Sequence, residues 1–352
     1  MKSLTTYLVL FMTTLLCACS SSTQNMKVYQ ADTQVMAQQM PSDGLSIQYL
    51  GVGGHVFRFR GAAIMTAPSI TNPSFWLLGP FMPISADTDL IDRFLPDISD
   101  VESILVGHAH YDHLMDVPYV MQTKAPKSHV YGSATMTHTI APAIENKRLH
   151  ALNDSMAVLD KPGQWQYNNN RSIRFMAIKS THAPHFMGIN IMTGTYDEDL
   201  EELPWHAFGW KEGQTLSYLI DFLGPQEEIL HRVYYQDAAS QEPLGLLPKL
   251  VAKDKKRVDI AIITPASFSQ VDNYPESIMQ SSQARHYILG HWEDFFANQE
   301  QEEQYFVRAI DADDFFKRFQ QGLNKDTSWT MPMLYHTQYF APHGKFITPN
   351  QP

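Results

Sequence analysis

The stretch Ile104-Leu105-Val106-Gly107-His108-Ala109-His110-Tyr111-Asp112-His113 decides how this chain is read. Its apolar first half predicts a buried strand. Three imidazoles and a carboxylate then follow within six residues. Neutral imidazole and carboxylate together suit borderline divalent cations such as Zn²⁺. One ion cannot easily take all four groups from so short a loop. The alternation lets His108 and His110 point one way and Asp112 and His113 another, which fits two adjacent ions. The competing reading is a His-rich loop that only packs and hydrogen-bonds.

Around this motif, strands are predicted at 45–50, 56–60, 62–66, 103–106, 172–178, 188–192, 215–220, 229–235, 258–263 and 287–289. A Pro/Gly-rich loop covers 71–85, a short helix should start at Asp116, and further helices are predicted at 241–252 and 302–320. Strands and helices interleave without a break in composition, which predicts one α/β domain with long loops. No repeat of fixed period and no long low-complexity segment is found.

The N-terminus reads as a targeting segment. Lys2 precedes a short, mostly apolar run from Tyr7 to Leu16, too short to span a bilayer comfortably. Leu16-Cys17-Ala18-Cys19 resembles a bacterial lipobox, with Cys19 as the acylated residue. An ordinary secretory signal cut nearby is the alternative. The expected organisation is a lipoprotein signal at 1–19, a polar tether at 20–42, a catalytic domain at 43–325 and a C-terminal extension at 326–352 packed on it. Ser20 beside the lipidated cysteine suggests the outer membrane, facing the periplasm. Both of the chain's two cysteines fall in the signal, so neither a disulfide nor a thiolate ligand is expected beyond it. The net charge of −11, read together with an absence of Lys/Arg clusters, argues against a nucleic-acid partner.

Three other strand ends carry polar groups. His182 and His185 flank Pro184 after one strand, Asp237 precedes two alanines after another, and His291 follows a third. Alone, Asp237 would be a helix N-cap and His291 a packed or surface histidine. The shared pattern gains weight because strand ends at one sheet edge are where α/β folds gather functional groups.

The order His108-x-His110-x-Asp112-His113, then His182, Asp237 and His291, resembles the metallo-β-lactamase-fold hydrolase superfamily. Locally, the stretch from His110 to Asp116 is most similar to the branch that includes the N-acylphosphatidylethanolamine-hydrolysing phospholipase D and sugar-lactone hydrolases. The resemblance implies a four-layer αββα sandwich and two divalent ions, zinc by preference. His108, His110 and His182 would hold one ion and Asp112, His113 and His291 the other, with Asp237 bridging. His185 competes with His182 as ligand, or else contacts substrate or donates a proton. Ala67 stands where family members usually carry an aspartate that supports the ligands from behind.

Such a pair of ions lowers the pKa of a shared water and yields a hydroxide nucleophile, which Asp112 would orient. The implied activity is phosphodiester hydrolysis of the phospholipase D kind by a membrane-tethered enzyme. Lactone or other ester hydrolysis on the same site, or a non-catalytic metal-binding lipoprotein, are the alternatives. The expected partners are a small-molecule or lipid substrate and the membrane. Apolar residues between His182 and Trp210, among them Phe186, Met187, Met192, Trp205 and Phe208, would line an acyl channel or simply pack. Glu293 and Asp294 would support His291 or open a helix.

Overall fold

The computed structural model describes Met26, Val28–Tyr29 and residues 40–348 apart from 80 and 186. The expected signal, Cys19 and most of the expected tether lie outside the described residues.

Strands β1 Val28–Tyr29, β2 Leu45–Gly51, β3 Gly54–Phe59, β4 Ala62–Thr66, β5 Val101–Leu105, β6 His129–Gly132, β7 Leu149–Ala151 and β8 Gln166–Tyr167 come first in the chain. They are followed by β9 Ile173–Lys179, β10 Leu216–Leu223, β11 Ile229–Tyr235, β12 Ile260–Ile263, β13 His286–Leu289, β14 Ser328–Pro332, β15 Thr337–Ala341 and β16 Lys345–Phe346. One sheet runs β1-β14-β13-β12-β11-β10-β9-β8 and the other β16-β15-β2-β3-β4-β5-β6-β7.

Strict alternation along the strands explains why both sheets are covered on both faces. In β10, Leu216, Tyr218, Ile220 and Phe222 join Ile173 and Phe175 of β9 and Ile47, Phe57 and Ile64 of the second sheet in a core between the sheets. The opposite faces carry a second apolar set. Met176, Leu219, Tyr234 and Ala261 pack under α5 Glu276–Ser282 and α6 Ala312–Gly322, through Ile278, Met279, Phe315 and Phe319. Val56, Met65, Ile104 and Val130 pack under α1 Thr88–Phe94, α2 Tyr111–Leu114, α3 Val117–Thr123 and α4 Ala134–Ile140. Three apolar layers between four structural ones make the αββα sandwich that the resemblance implied. Among the described residues no helix is long and apolar enough to cross a membrane.

Three expected elements are absent, each for a local reason. Residues 188–192 form no strand, because Met187, Gly188 and Met192 sit in the left-handed region and turn the chain. The helix expected at 241–252 is replaced by turns. Pro243 and Pro248 lack the N–H a helix needs, and Gly245, at φ +73, donates to the Lys179 carbonyl instead. The helix expected from 302 starts only after Asp311, whose side chain caps the Asp314 N–H. Before it, the chain hydrogen-bonds to the segment behind His291, Val307 N–H to the Trp292 carbonyl and Asp294 N–H to the Tyr305 carbonyl. Residues 328–332 and 337–341, expected in an extension, give each sheet a strand, and Val28–Tyr29 of the expected tether pairs in parallel with β14.

On the helix-covered face of the first sheet, three neighbouring strands place charges in register. Asp221 of β10 lies opposite Arg232 of β11 and Arg174 of β9. It is fully buried and accepts from both guanidinium groups at 2.6–3.0 Å. Removing one member of such a buried set strands the others without a counter-charge. We therefore expect Asp221→Ala to lower the unfolding free energy by about 3–5 kcal/mol in urea titrations. A loss under about 1 kcal/mol, the scale of a surface pair, would contradict this account.

Candidate metal centre

The functional side chains stand at the C-terminal ends of β5, β9, β11 and β13, which all run towards one edge of the sandwich. After β5, Gly107 makes a close approach that only glycine allows. A Cβ there would lie 2.2 Å from Asp237 Oδ2. The loop is pinned by Ala109 N–H to the Glu212 carbonyl and Leu216 N–H to the Gly107 carbonyl. The single turn of α2 then brings Asp112 and His113 beside His108, with the His108 and His113 rings 4.1 Å apart.

His108, His110, Asp112, His113, Asp237 and His291 are all buried, and His182 and His185 half-buried. Ligand atoms of His108, His110 and His182 lie within 4.8 Å of one another, as do those of His108, Asp112 and His113. Asp237 stands between the two groups. Its Oδ1 lies 3.4 Å from His108 Nδ1 and its Oδ2 3.2 Å from His113 Nδ1. His291 Nε2 lies 3.8 Å from Asp112 Oδ2, and the His291 and His113 rings are 5.6 Å apart. All seven expected ligands therefore meet, although the compact groupings place His108 with Asp112 and His113 and leave His291 at the margin.

The polar atoms facing this space are orphans. Both oxygens of Asp237, both ring nitrogens of His108, His110 Nε2, His113 Nδ1 and His291 Nδ1 are buried without a hydrogen-bond partner. Buried polar groups are almost always satisfied, so a cluster of unsatisfied acceptors and imidazoles is the arrangement that divalent cations fit. The electrostatics agree. Burial pushes the Asp237 carboxyl up, yet the His113 and His108 imidazoles prevail and hold it well below the ordinary carboxylate range. Burial, then His113, holds His108 well below its ordinary value, and burial with the neighbouring imidazoles does the same to His110. Burial would lower His113 as well, but Asp112 and Asp237 raise it. His291 is lowered to about 3 by burial and then His113. His108, His110 and His291, held neutral beside an ionised carboxylate, are metal-ready donors.

His182 hydrogen-bonds the Ala183 carbonyl through Nδ1 at 2.5 Å, which turns Nε2 towards His108 and His110. His185 stacks on His182 with ring centroids 4.6 Å apart, accepts from Ile191 N–H, and stands 5.2 Å from the His110 ring. Burial, then His182, lowers His185 to about 3, so near neutral pH it is an uncharged imidazole with no extra proton to give. Ala67, in place of the expected aspartate, is buried and donates its N–H to the Leu105 carbonyl. Beside His113 the wall is instead Gly53, where a Cβ would lie 2.8 Å from His113 Nδ1. Of the apolar residues expected around a channel, Trp210 is core whereas Met187, Trp205 and Phe208 are exposed, and Phe186 lies outside the described residues.

Two positioning devices stand behind the ligands; the sequence reading missed the first and offered the second, Glu293, as one of two alternatives. Asp116 accepts from Ile70 N–H, Thr71 N–H and Thr71 Oγ1–H, tying the loop after β4 to the metal motif. Its only sequence signal was its place shortly after His113. Glu293 opens no helix. It accepts from Tyr49 Oη–H and, at 2.6 Å, from Val52 N–H. Tyr49 Oη in turn accepts from His291 N–H, which also donates to the Val52 carbonyl. His291 has φ +47, an unfavourable left-handed conformation that these bonds hold in place. Asp294 forms a fork with Arg308.

No protein-family model matches the chain. Among curated proteins it is similar to endoribonuclease Ysh1 of Schizosaccharomyces pombe, 26% identical over 45% of this chain and 23% of that protein. It is also similar to endoribonuclease Ysh1 of Eremothecium gossypii, 22% identical over 45% of this chain and 24% of that protein. The chain thus spans about a quarter of the length of these relatives. Similar solved structures include a metallo hydrolase from the archaeon Ignicoccus hospitalis, 14% identical, covering 84% of this chain and 98% of that one at a TM-score of 0.48. The metallo-β-lactamase-fold protein YhfI of Bacillus subtilis is 10% identical, covering 84% and 99% at a TM-score of 0.48.

The endoribonuclease matches overturn the expectation of no nucleic-acid partner. That expectation also rested on a misreading, since Lys249, Lys253, Lys255, Lys256 and Arg257 do form a basic cluster. Net charge averages over the whole surface and says nothing about such a local patch.

Proposed function

We propose that the chain is a metal-dependent hydrolase of the metallo-β-lactamase-fold superfamily that holds two divalent ions, zinc by donor preference, and cleaves a phosphodiester. The observation that carries this reading is the Asp237 carboxylate, buried with both oxygens unsatisfied between two groups of orphaned imidazoles. When bound, such ions supply Lewis acidity and a nucleophilic water at neutral pH. His108, His110 and His182 would hold one ion, and Asp112, His113 and His291 the other, with Asp237 shared between them. Asp112 would also orient the attacking water, and His185, stacked on His182 and half-buried, would contact substrate rather than metal. What favours the phosphodiester is that the matched curated relatives are endoribonucleases. The stretch from His110 to Asp116 resembles a branch that includes both a phospholipase D and sugar-lactone hydrolases, so that likeness fits either reaction class. Residues 1–19, read as a lipoprotein signal, would place the enzyme in a bacterial envelope through lipidated Cys19.

A screen of bis(p-nitrophenyl) phosphate, single-stranded RNA, a phosphatidylethanolamine and a lactone tests the reaction class. We expect cleavage of at least one phosphodiester. Asp112→Asn should lower its turnover about 100-fold or more with little loss of fold, on the scale of losing a general acid–base or orienting group. His182→Ala should lose metal by elemental analysis, while His185→Ala should keep it and change only rate or substrate preference. Lactone hydrolysis without phosphodiester cleavage would sink the reading. For the anchor, Cys19→Ser should release the protein from the membrane fraction. A wild-type mass without lipid would count against it.

A further inference from the structure

The tip of the hairpin between β2 and β3 is built against its own conformational preferences. Gly51 opens the turn at φ +102, and Val52 follows at φ +50. A β-branched residue in the left-handed region is a genuine outlier, and such strain persists only where the surroundings over-determine the backbone. Here they do. Val52 is fully buried, its N–H donates to Glu293 Oε1 at 2.6 Å, and its carbonyl accepts from His291 N–H at 3.0 Å. His291 is itself left-handed at φ +47, so two strained residues from distant parts of the chain are hydrogen-bonded to each other. Glu293 closes the circuit through Tyr49, whose hydroxyl donates to Oε2 and accepts from His291 N–H at 2.9 Å. The carboxylate is seated tightly, since a Cβ on Gly51 would lie 3.1 Å from Oε1.

This circuit bears on one of the two ligand sets. Val52 holds His291, and the next residue, Gly53, leaves its side-chain space to His113 Nδ1. His113 and His291 are the histidines grouped with Asp112. The other set hangs on different segments. Ala109, between His108 and His110, donates its N–H to the Glu212 carbonyl at 2.9 Å. Thr181, beside His182, donates its N–H to Ser240 Oγ at 3.0 Å. His291 is also the ligand most sensitive to its backbone. Its Nε2 stands at the margin, 3.8 Å from Asp112 Oδ2, and it lies outside both compact groupings. Relaxation to an ordinary φ of about −60° would re-aim its Cα–Cβ bond and carry the imidazole away from the cluster.

We propose that Glu293 is a positioning residue that sets the affinity of the ion held by Asp112, His113 and His291, separately from that of the ion held by His108, His110 and His182. Its carboxylate is turned to the Val52 N–H and the Tyr49 hydroxyl rather than to the ligand cluster. By holding those two groups it keeps two acceptors, the Val52 carbonyl and Tyr49 Oη, aimed at His291 N–H. Loss of a partner behind a ligand weakens metal binding by about 10–100-fold. Because separate loops carry the two sets, that loss falls on one ion. The proposal rests on the two-ion reading above.

The test is titration of the full chain, stripped of metal by chelation, with Co²⁺, followed by its visible absorption bands and by competition with a chelator of known affinity. We expect two binding steps in the wild type, one of which His291→Ala abolishes. Glu293→Ala should weaken that same step by about 10–100-fold and leave the other within about threefold. Glu293→Gln keeps an acceptor for Val52 N–H and should restore most of the lost affinity. Tyr49→Phe removes one acceptor from His291 N–H at almost constant volume, and should weaken the same step. Asp221→Ala, which destabilises the fold far from these bonds, should leave both steps unchanged. Equal weakening of both steps by Glu293→Ala, no weakening of either, or a Glu293→Gln as weak as Glu293→Ala would overturn the proposal while the two-ion reading stands. Should Glu293→Ala not fold, an unchanged step in Tyr49→Phe would overturn it instead. A wild type that takes a single ion at saturation overturns the two-ion reading and the proposal together.

Discussion

Asp237 sits at the end of β11 with its carboxylate ionised, fully enclosed and without a hydrogen-bond donor. The effective penalty for burying such a charge is several kcal/mol unless something compensates it. His108 and His113 approach within 3.4 Å and 3.2 Å but not in hydrogen-bond geometry. Their own ring nitrogens remain as unsatisfied as the oxygens. A buried carboxylate and imidazoles so placed form a donor set that positive charge between them would satisfy. Gly107 exists in this light as the absence of a side chain, since any Cβ would occupy the space of the carboxylate.

The rest of the sandwich holds that arrangement still. Strands β5, β9, β11 and β13 end at one edge, so four separate segments deliver ligands to one point without long-range adjustment. Loops are then tied down by carboxylates that take no part in the ligand set. Glu293 fixes Tyr49 and Val52, and these two fix the strained backbone of His291. Asp116 does the same for the loop after β4. Positioning from behind is what gives a metal site its geometry.

What could be read from sequence follows from how local each signal is. His108 to His113 lie on one strand end and a single helical turn, so spacing alone exposes them. Asp237 and His291 look ordinary in isolation and gained meaning only from the repeated strand-then-ligand pattern and the family resemblance. Residues 302–310 read as helix because their periodicity is helical, yet hydrogen bonds to the segment behind His291 claim them. Residues 241–252 read as helix in spite of two prolines that forbid it. The alternation seen at 188–192 is cancelled by left-handed residues on either side. Glu293 and Asp116 were visible as acids, but their partners lie 241 and 45 or more residues away, beyond any local pattern. The basic cluster at 249–257 was local and legible, and was lost by reasoning from net charge.

The central claim is that two ions share the Asp237 carboxylate. Anomalous diffraction at the zinc edge from crystals of protein purified without added metal tests it most directly. The account predicts two peaks about 3.5–4 Å apart, one among His108, His110 and His182 and the other beside Asp112, His113 and His291, with Asp237 between them. A single peak at saturating metal, or peaks that leave both Asp237 oxygens without a cation, would contradict it.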